Sequence, residues 1–290
     1  MRAACIDIGS NTTRLLVADC DTTGLVEVHQ ERAFTHLGRG LQAGGVIADE
    51  KISEVAGVVL RQLAVARQHG SAELRGVATA AVRTAANGAQ LVEAIARATG
   101  LEVRIVSAAE EARLAFLGAA TMLDTPLDGE LGVIDVGGGS SEIVVGHPPD
   151  RISWWASVPV GSGALVQRGL ESDPPTAAEL AAARADVERA LAGHKPPRPA
   201  VAVAVGGSAT SLSRVAGPVL DAAALQRSLV VLTGEPAAAV ARRFAIDPQR
   251  ARLLPAGLLI LAGAARLLQT TLTVGRGGIR EGVLLEARKS

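Results

Sequence analysis

The sequence predicts an α/β fold of two related lobes, and three observations carry that prediction. Residues 131–146, LGVIDVGGGSSEIVVG, read as an apolar strand, a turn of glycines and hydroxyls, and a returning strand. Residues 4–18, ACIDIGSNTTRLLVA, repeat the unit, again with an aspartate two residues before a glycine. Between and after these hairpins, strand-like runs alternate with helix-like ones, the pattern of a mixed α/β lobe.

The chemistry of the two turns is the same. In the second, Asp135 comes before Gly137, Gly138 and Gly139, then Ser140, Ser141 and Glu142. A backbone without side chains can approach a ligand closely, and its N–H groups can converge on phosphate oxygens. Flanking carboxylates can hold a divalent cation and share it with phosphate. The first turn offers Asp7, Gly9, Ser10, Asn11, Thr12 and Thr13. A single such turn is also how a plain glycine-rich hairpin looks. Two of them point to paired phosphate loops facing a shared cleft. A third Gly and hydroxyl turn, Gly206, Gly207 and Ser208, follows the apolar run 200–205 and opens a helix, whose first N–H groups favour anions.

Taken in order, residues 3–8 and 14–19 form a hairpin, and 26–34 a third antiparallel strand. A glycine-rich connection follows, with Gly38, Gly40, Gly44 and Gly45. Asp49 looks like the cap of a long amphipathic helix through Ile52, Val55, Val59 and Leu63. Residues 74–80 read as a strand leading at once to Arg83, at a strand end and helix start where ligands are often met. A helix over 89–99 and a strand over 102–106 come next. The segment 108–121, AAEEARLAFLGAAT, is a helix with Glu110 and Glu111 in its first turn. That position suits the helix dipole; it also lets one of the two serve as a general base. Residues 122–129 are turn-rich and mark the boundary between lobes.

Beyond the second hairpin, 152–158 is a strand carrying Trp154 and Trp155, read as core or interface packing. Short and long helices follow over 161–169 and 177–193, then a proline-rich loop, 194–199. After the third glycine turn the chain is helical over 221–232, 235–245 and 253–269. A short strand spans 271–274, and Gly277-Gly278-Ile279-Arg280-Glu281-Gly282 opens a last helix.

Composition narrows the function. The chain of 290 residues is 48% hydrophobic and 20% charged, an ordinary globular composition. Its net charge is zero, so no global basic field recruits nucleic acid or an acidic membrane. Cys5 and Cys20 are read as reduced core residues. The apolar stretch 253–268 is short and interrupted, and a cytoplasmic enzyme is the default. There is no P-loop motif and no H-E-x-x-H, and the five histidines are scattered. What remains is phosphate loops, carboxylates and arginine, a set that fits metal-assisted phosphoryl transfer.

The chain resembles the exopolyphosphatase and guanosine-pentaphosphatase phosphohydrolases, a branch of the actin-like ATPase superfamily. The pieces that carry the resemblance are IDIGSNTTRLL, VATAAVRTAANG, AAEEARLAFLG, VIDVGGGSSEIVVG, VAVGGSATSL and GGIREGVLL, in order along nearly the whole chain. The resemblance implies two ribonuclease-H-like lobes with an interdomain cleft: residues 1–124 completed by about 278–290, and 125–277. It implies that Glu111 activates water to attack a terminal phosphoryl group held by the loops, and that Arg83 contacts it. It places Mg²⁺ beside Asp135 and Glu142, with Asp7 as a further ligand. The implied substrates are inorganic polyphosphate or guanosine pentaphosphate; neither nucleic acid nor membrane is a partner, and a homodimer is left open.

Three positions depart from the family's pattern. Ala108 stands where glycine is common. Gly161 is followed by Ser162-Gly163-Ala164-Leu165 rather than a G-x-x-R-L motif, which removes an expected arginine. Arg250-Ala251-Arg252 replaces an R-A-D triplet. The chain also lacks the C-terminal helical region of longer members, which favours short polyphosphates or a nucleotide. The other readings are a polyphosphate- or nucleotide-binding regulator with little turnover, and a kinase or ATPase of the same superfamily with its adenosine pocket at Gly206–Ser211.

Overall fold

In the computed structural model the described residues are 1–21, 24–39, 41 and 45–288. Gly40 and Gly44 of the glycine-rich connection lie outside them. The chain divides into two compact units, residues 1–122 with 277–290, and residues 123–276.

Unit 1 begins with β1 (Arg2–Ile8), β2 (Thr12–Cys20) and β3 (Leu25–Phe34). Helix α1 (Asp49–Gln68) leads to β4 (Glu73–Ala78), α2 (Ala80–Thr84), α3 (Gly88–Thr99), β5 (Val103–Ile105) and α4 (Ala108–Thr121). The sheet order is β3-β2-β1-β4-β5. The first three strands are antiparallel; β1, β4 and β5 are parallel. Side chains alternate between the faces of β1. Ala4, Ile6 and Ile8 join the core under α1 and α3. Ala3 and Cys5 join a second core with Leu114 of α4. Asp7 therefore shares the face of α4.

Unit 2 contains β6 (Leu131–Val136), β7 (Ser141–His147), β8 (Arg151–Val158), α5 (Ser162–Gly169), α6 (Ala177–Leu191), β9 (Val201–Val205) and α7 (Gly206–Ala216). It continues with β10 (Val219–Leu220), α8 (Ala222–Gly234), α9 (Ala237–Phe244), α10 (Pro248–Leu268) and β11 (Leu272–Val274). Its sheet order is β10-β11-β9-β6-β7-β8, with β6, β9 and β11 parallel. Ile134, Val136, Ile143 and Val145 face one large core shared with the helices. Helix α10 is long and apolar enough to cross a membrane, but most of its apolar window is buried inside the unit. It is the core helix of unit 2.

Helix α11 (Ile279–Glu286) returns to unit 1 and packs along α4. The two backbones touch through glycine. A Cβ on Gly118 would run into the carbonyl of Gly278, and one on Gly282 into the carbonyl of Leu114. Only glycine allows that separation. Arg280, buried at the start of α11, donates to the Leu15 carbonyl at 2.9 Å. Arg104 joins Glu110 of α4 and Glu286 of α11 at 2.7 and 2.9 Å.

Several elements differ from expectation. The cap of α1 is Ala48, without a side-chain hydrogen bond, and Asp49 is already helical. Helix α10 starts at Pro248 rather than Leu253, with Asp247 accepting from the N–H groups of Gln249 and Arg250. A proline at the first helical position suits that start. Trp154 packs against the core, but Trp155 is 43% exposed on the edge strand β8. The two-residue strand β10 has no sequence signal of its own.

Candidate active site

In unit 1 the parallel strands end level with one another. Ile8 pairs with Ala78, and Ala78 with Ile105. With strands roughly 4.8 Å apart, the segments after β1 and β5 leave the sheet about 10 Å from each other. Ligands in α/β folds bind at this carboxyl edge. Gly9–Thr12, Arg83 and Glu111 are all delivered to it.

Arg83 lies in α2, directly after β4. Its Nη1 donates to Glu111 Oε2 at 2.8 Å and to the Val106 carbonyl at 2.9 Å. Both side chains are largely enclosed, at 22% and 13% exposure. Glu110 does something else. Its Oε2 accepts from the backbone N–H of Ser107 while the Ser107 hydroxyl accepts from the N–H of Glu110, a reciprocal cap on α4. The bond from the Ser107 N–H, the largest cause, holds the Glu110 carboxyl below its ordinary range. Of the two neighbouring acids, Glu110 is committed to the helix end and Glu111 to the arginine.

The first glycine turn is braced by residues 35–38. The Gly9 N–H closes the turn on the Thr12 carbonyl at 3.0 Å. The Ser10 carbonyl accepts from Gly38, and the Asn11 carbonyl from Thr35 and His36. His36 Nδ1 also lies 2.8 Å from Asn11 Oδ1. A trans peptide points its C=O and the next N–H in opposite directions. With the Ser10 carbonyl held by Gly38, the N–H of Asn11 is turned away from the brace. Asp7 sits opposite Arg14 in the β1–β2 register.

The second turn is braced by a helix. The Gly137 N–H closes it on the Ser140 carbonyl at 3.0 Å. The Gly137 and Gly138 carbonyls accept from Ser162 and Ala164 in the first turn of α5 at 2.9 and 2.8 Å. By the same peptide geometry, the N–H groups of Gly138 and Gly139 face away from α5. Outward-facing N–H groups of this kind can meet an anion. The Ser141 hydroxyl is buried and donates to the Val160 carbonyl at 2.6 Å, so its role here is to fix the turn. Gly161 and Gly163 press against Gly138. The missing G-x-x-R-L arginine thus falls on a helix start whose N–H groups brace the loop.

Asp135 and Glu142 are direct partners across β6 and β7. Their side chains share a sheet face, opposite Ile134 and Ile143. Glu142 is buried and its Oε1 accepts from the Ser157 hydroxyl at 2.8 Å. Two adjacent carboxylates on one face repel unless positive charge joins them. That donor set, two hard oxygens with room for water and phosphate, fits a divalent cation of the Mg²⁺ type. Among the described residues no three His, Cys, Asp or Glu side chains converge.

Asp135 also reaches the third turn. Val205 is its neighbour in the β6–β9 register, and the next residue, Gly206, has φ +81°. A Cβ there would collide with Asp135 Oδ1. Gly206, Gly207 and Ser208 form the first turn of α7, which has no side-chain cap. The Ser208 hydroxyl lies 3.4 Å from the Val136 carbonyl.

Two further residues act near these turns, His36 without a local sequence signal and Arg250 marked only as the first residue of the altered R-A-D triplet. His36, in a left-handed conformation at φ 47°, fixes Asn11. Arg250, buried at the start of α10, lays its guanidinium against Gly207, where a Cβ would come within 2.7 Å of it. Arg252, the base at the third departure, donates to the carbonyls of Leu170 and Glu171 and is a structural strut. The thiols of Cys5 and Cys20 are free and buried. Burial pushes the Cys5 thiol far above its usual range, which removes it as a nucleophile.

A sequence profile described as the Ppx/GppA phosphatase family matches residues 16–290. Exopolyphosphatase 2 of Mycobacterium tuberculosis is 32% identical over 325 aligned positions, covering 98% of each chain. Exopolyphosphatase 1 of the same organism is 28% identical, covering 98% of this chain and 88% of its own length. A crystal structure of the Aquifex aeolicus Ppx/GppA family member superposes with a TM-score of 0.82 at 28% identity, covering 100% of this chain and 98% of that one.

Proposed function

Because the chain belongs to the Ppx/GppA phosphatase family, a family of two actin-like lobes and a hydrolase of phosphoanhydride bonds, we propose that it removes terminal phosphate from short inorganic polyphosphate with Glu111 as general base. Guanosine pentaphosphate is the competing substrate. The observation that carries this reading is the Arg83–Glu111 pair at the carboxyl edge of β1, β4 and β5, level with the Gly9–Thr12 turn.

In this reading Glu111 accepts a proton from water as the water oxygen bonds to the terminal phosphorus. The P–O bond to the next phosphate breaks, and the shortened chain leaves with its electron pair. The products are orthophosphate and a polyphosphate one unit shorter. Arg83 holds the carboxylate in one orientation, which saves the entropy of arranging it at each turnover. In unit 1 the Asn11 N–H, and in unit 2 the Gly138 and Gly139 N–H groups, stabilise phosphoryl oxygens as charge builds on them. Arg250 adds fixed positive charge at the Gly207 turn. Asp135 and Glu142 would hold the divalent cation, which neutralises phosphate charge when bound. The free, buried Cys5 and Cys20 support a reducing compartment, and we place the enzyme in the cytoplasm.

The test is phosphate release with Mg²⁺ from tripolyphosphate, a long polyphosphate and guanosine pentaphosphate, by the natural chain and by Glu111→Gln. The amide keeps the shape and an oxygen for Arg83 but cannot take the proton. Its kcat is expected to fall at least about 100-fold, the scale of general-base catalysis. A variant that keeps full kcat on every substrate removes Glu111 from the mechanism. The ranking of the three substrates names the natural one.

A further inference from the structure

Unit 2 has a cavity of about 640 Å³ that the proposed reaction does not use. It lies at the opposite end of the sheet from the glycine turns. Of its lining, Thr271 immediately precedes β11 and Arg198 lies three residues before the start of β9, whereas Gly206 follows β9. Five strand residues separate the two ends, about 16 Å. The volume is that of a small-molecule site.

The lining is divided by chemistry. Leu225 and Leu229 of α8 and Leu258 and Leu259 of α10 form an aliphatic floor. Arg184 of α6, Arg198 and Arg266 form a basic rim. Arg266 reaches Glu188 at 3.5 Å between two well-exposed side chains, a weak pair. Among the described residues, Arg184 and Arg198 have no ion-pair partner at all. The one acid in the lining, Asp221, is spent on the N–H of Ala224 at 2.7 Å as the cap of α8. No aromatic side chain lines the cavity, so nothing there stacks on a nucleobase. A polyphosphate chain would satisfy the rim but gain nothing from four leucines.

We propose that this cavity is a second ligand site, for a small aliphatic anion whose chain lies on the leucine floor and whose head group is held by Arg184 and Arg198. A carboxylate and a phosphate monoester share that chemistry, because a guanidinium accepts both in the same forked geometry.

The test is calorimetric titration of the full chain with decanoate and with decyl phosphate, below their micelle concentrations; the tighter binder identifies the head group. Acetate supplies the head without the chain, decanol the chain without the head. Two variants separate the halves of the site. Arg184→Ala with Arg198→Ala removes the unpaired charges from exposed positions, and Ala262→Phe fills the cavity from α10. Binding of at least one decyl anion is expected with Kd below about 1 mM, weakened about tenfold or more in the arginine variant and abolished in the filled one. Phosphate release without the probe is unchanged in the arginine variant. The proposal is overturned if neither decyl anion binds, if decanol binds as tightly as the anions, or if tripolyphosphate displaces them. It is overturned equally if both variants fold, judged by their melting transitions, and bind as the natural chain does.

Discussion

The turns after β1 and β6 do one job with two kinds of support. Each closes on a glycine N–H, and each has its carbonyls held from behind so that other N–H groups face outward. In unit 2 the brace is a helix end: two N–H groups of α5 and two glycines pressed on Gly138. In unit 1 the brace is an irregular segment, residues 35–38, with one histidine touching one asparagine. The helix brace is mostly backbone, with the Ser162 hydroxyl adding one bond to the Gly137 carbonyl at 3.2 Å, and leaves little for side-chain changes to tune. The loop brace depends on His36 and on a left-handed backbone. The two turns should therefore fail differently when damaged.

The largest effect is expected at Gly161. A valine there would place Cβ about 2.5 Å from the Gly138 carbonyl carbon, where backbone faces backbone and no side chain can yield. Gly161→Val should lose about 3 kcal/mol of stability by overpacking and most phosphate release, read by urea unfolding and turnover. Wild-type stability in that variant would remove the backbone brace from the comparison. Gly206→Ala comes next. It forces a positive φ on a side chain and pushes on Asp135, for about 1–2 kcal/mol and a weaker response to Mg²⁺ in a metal titration. His36→Ala should be milder. It removes one side-chain contact, worth about 1 kcal/mol, and should raise KM severalfold while leaving the melting temperature of the chain nearly unchanged. If His36→Ala and Gly161→Val cost the same, the two supports are equivalent after all.

The smallest effect concerns a second matched pair, the reciprocal caps Ser107–Glu110 of α4 and Thr176–Glu179 of α6. Glu179 accepts from the N–H groups of Ser172 and Thr176, which lower its carboxyl to about 2. A carboxyl lowered in the folded state adds stability above its unfolded value, near 4.3, and that stability is lost as pH falls through about 2. Glu110 is lowered in the same direction. Glu179→Gln should therefore lower stability modestly at pH 7 and make no difference below about pH 2, which flattens the acid limb of an unfolding curve.

What the sequence could disclose follows from how local each cause is. The strand–turn–strand units and the helix over 108–121 rest on runs of apolar residues and neighbouring glycines, so they were legible and the α/β fold with them. The start of α10 was not read because Arg250 and Arg252 interrupt the apolar pattern, although Asp247-Pro248 is a cap followed by a favoured first residue. Asp49 fitted a cap by type but lies one position inside its helix. Residue type alone left Glu110 and Glu111 equivalent and only the resemblance singled out Glu111; their partners, Ser107 beside one and Arg83 across the sheet edge from the other, are not local to the sequence. His36 had no signal, and Arg250 was visible only as the first residue of the altered R-A-D triplet, because each acts on a residue tens of positions away. Trp155 was read as core or interface packing, and its exposure removes only the first; its place on an edge strand is set by sheet order, not by its neighbours in sequence.

The packing of α11 on α4 has a consequence for how the molecule comes into being. The helix that carries Glu111 finds its glycine-to-glycine partner only after residues 277–286 have been synthesised, and Arg280 reaches back 265 positions to Leu15. A nascent chain that has emitted all of β1–α4 thus still exposes one flank of that helix, and contacts so distant in sequence form late. Glu111, the general base of our proposal, is thus seated only after α11 has been made, and a chain that stops before residue 277 makes a partial scaffold.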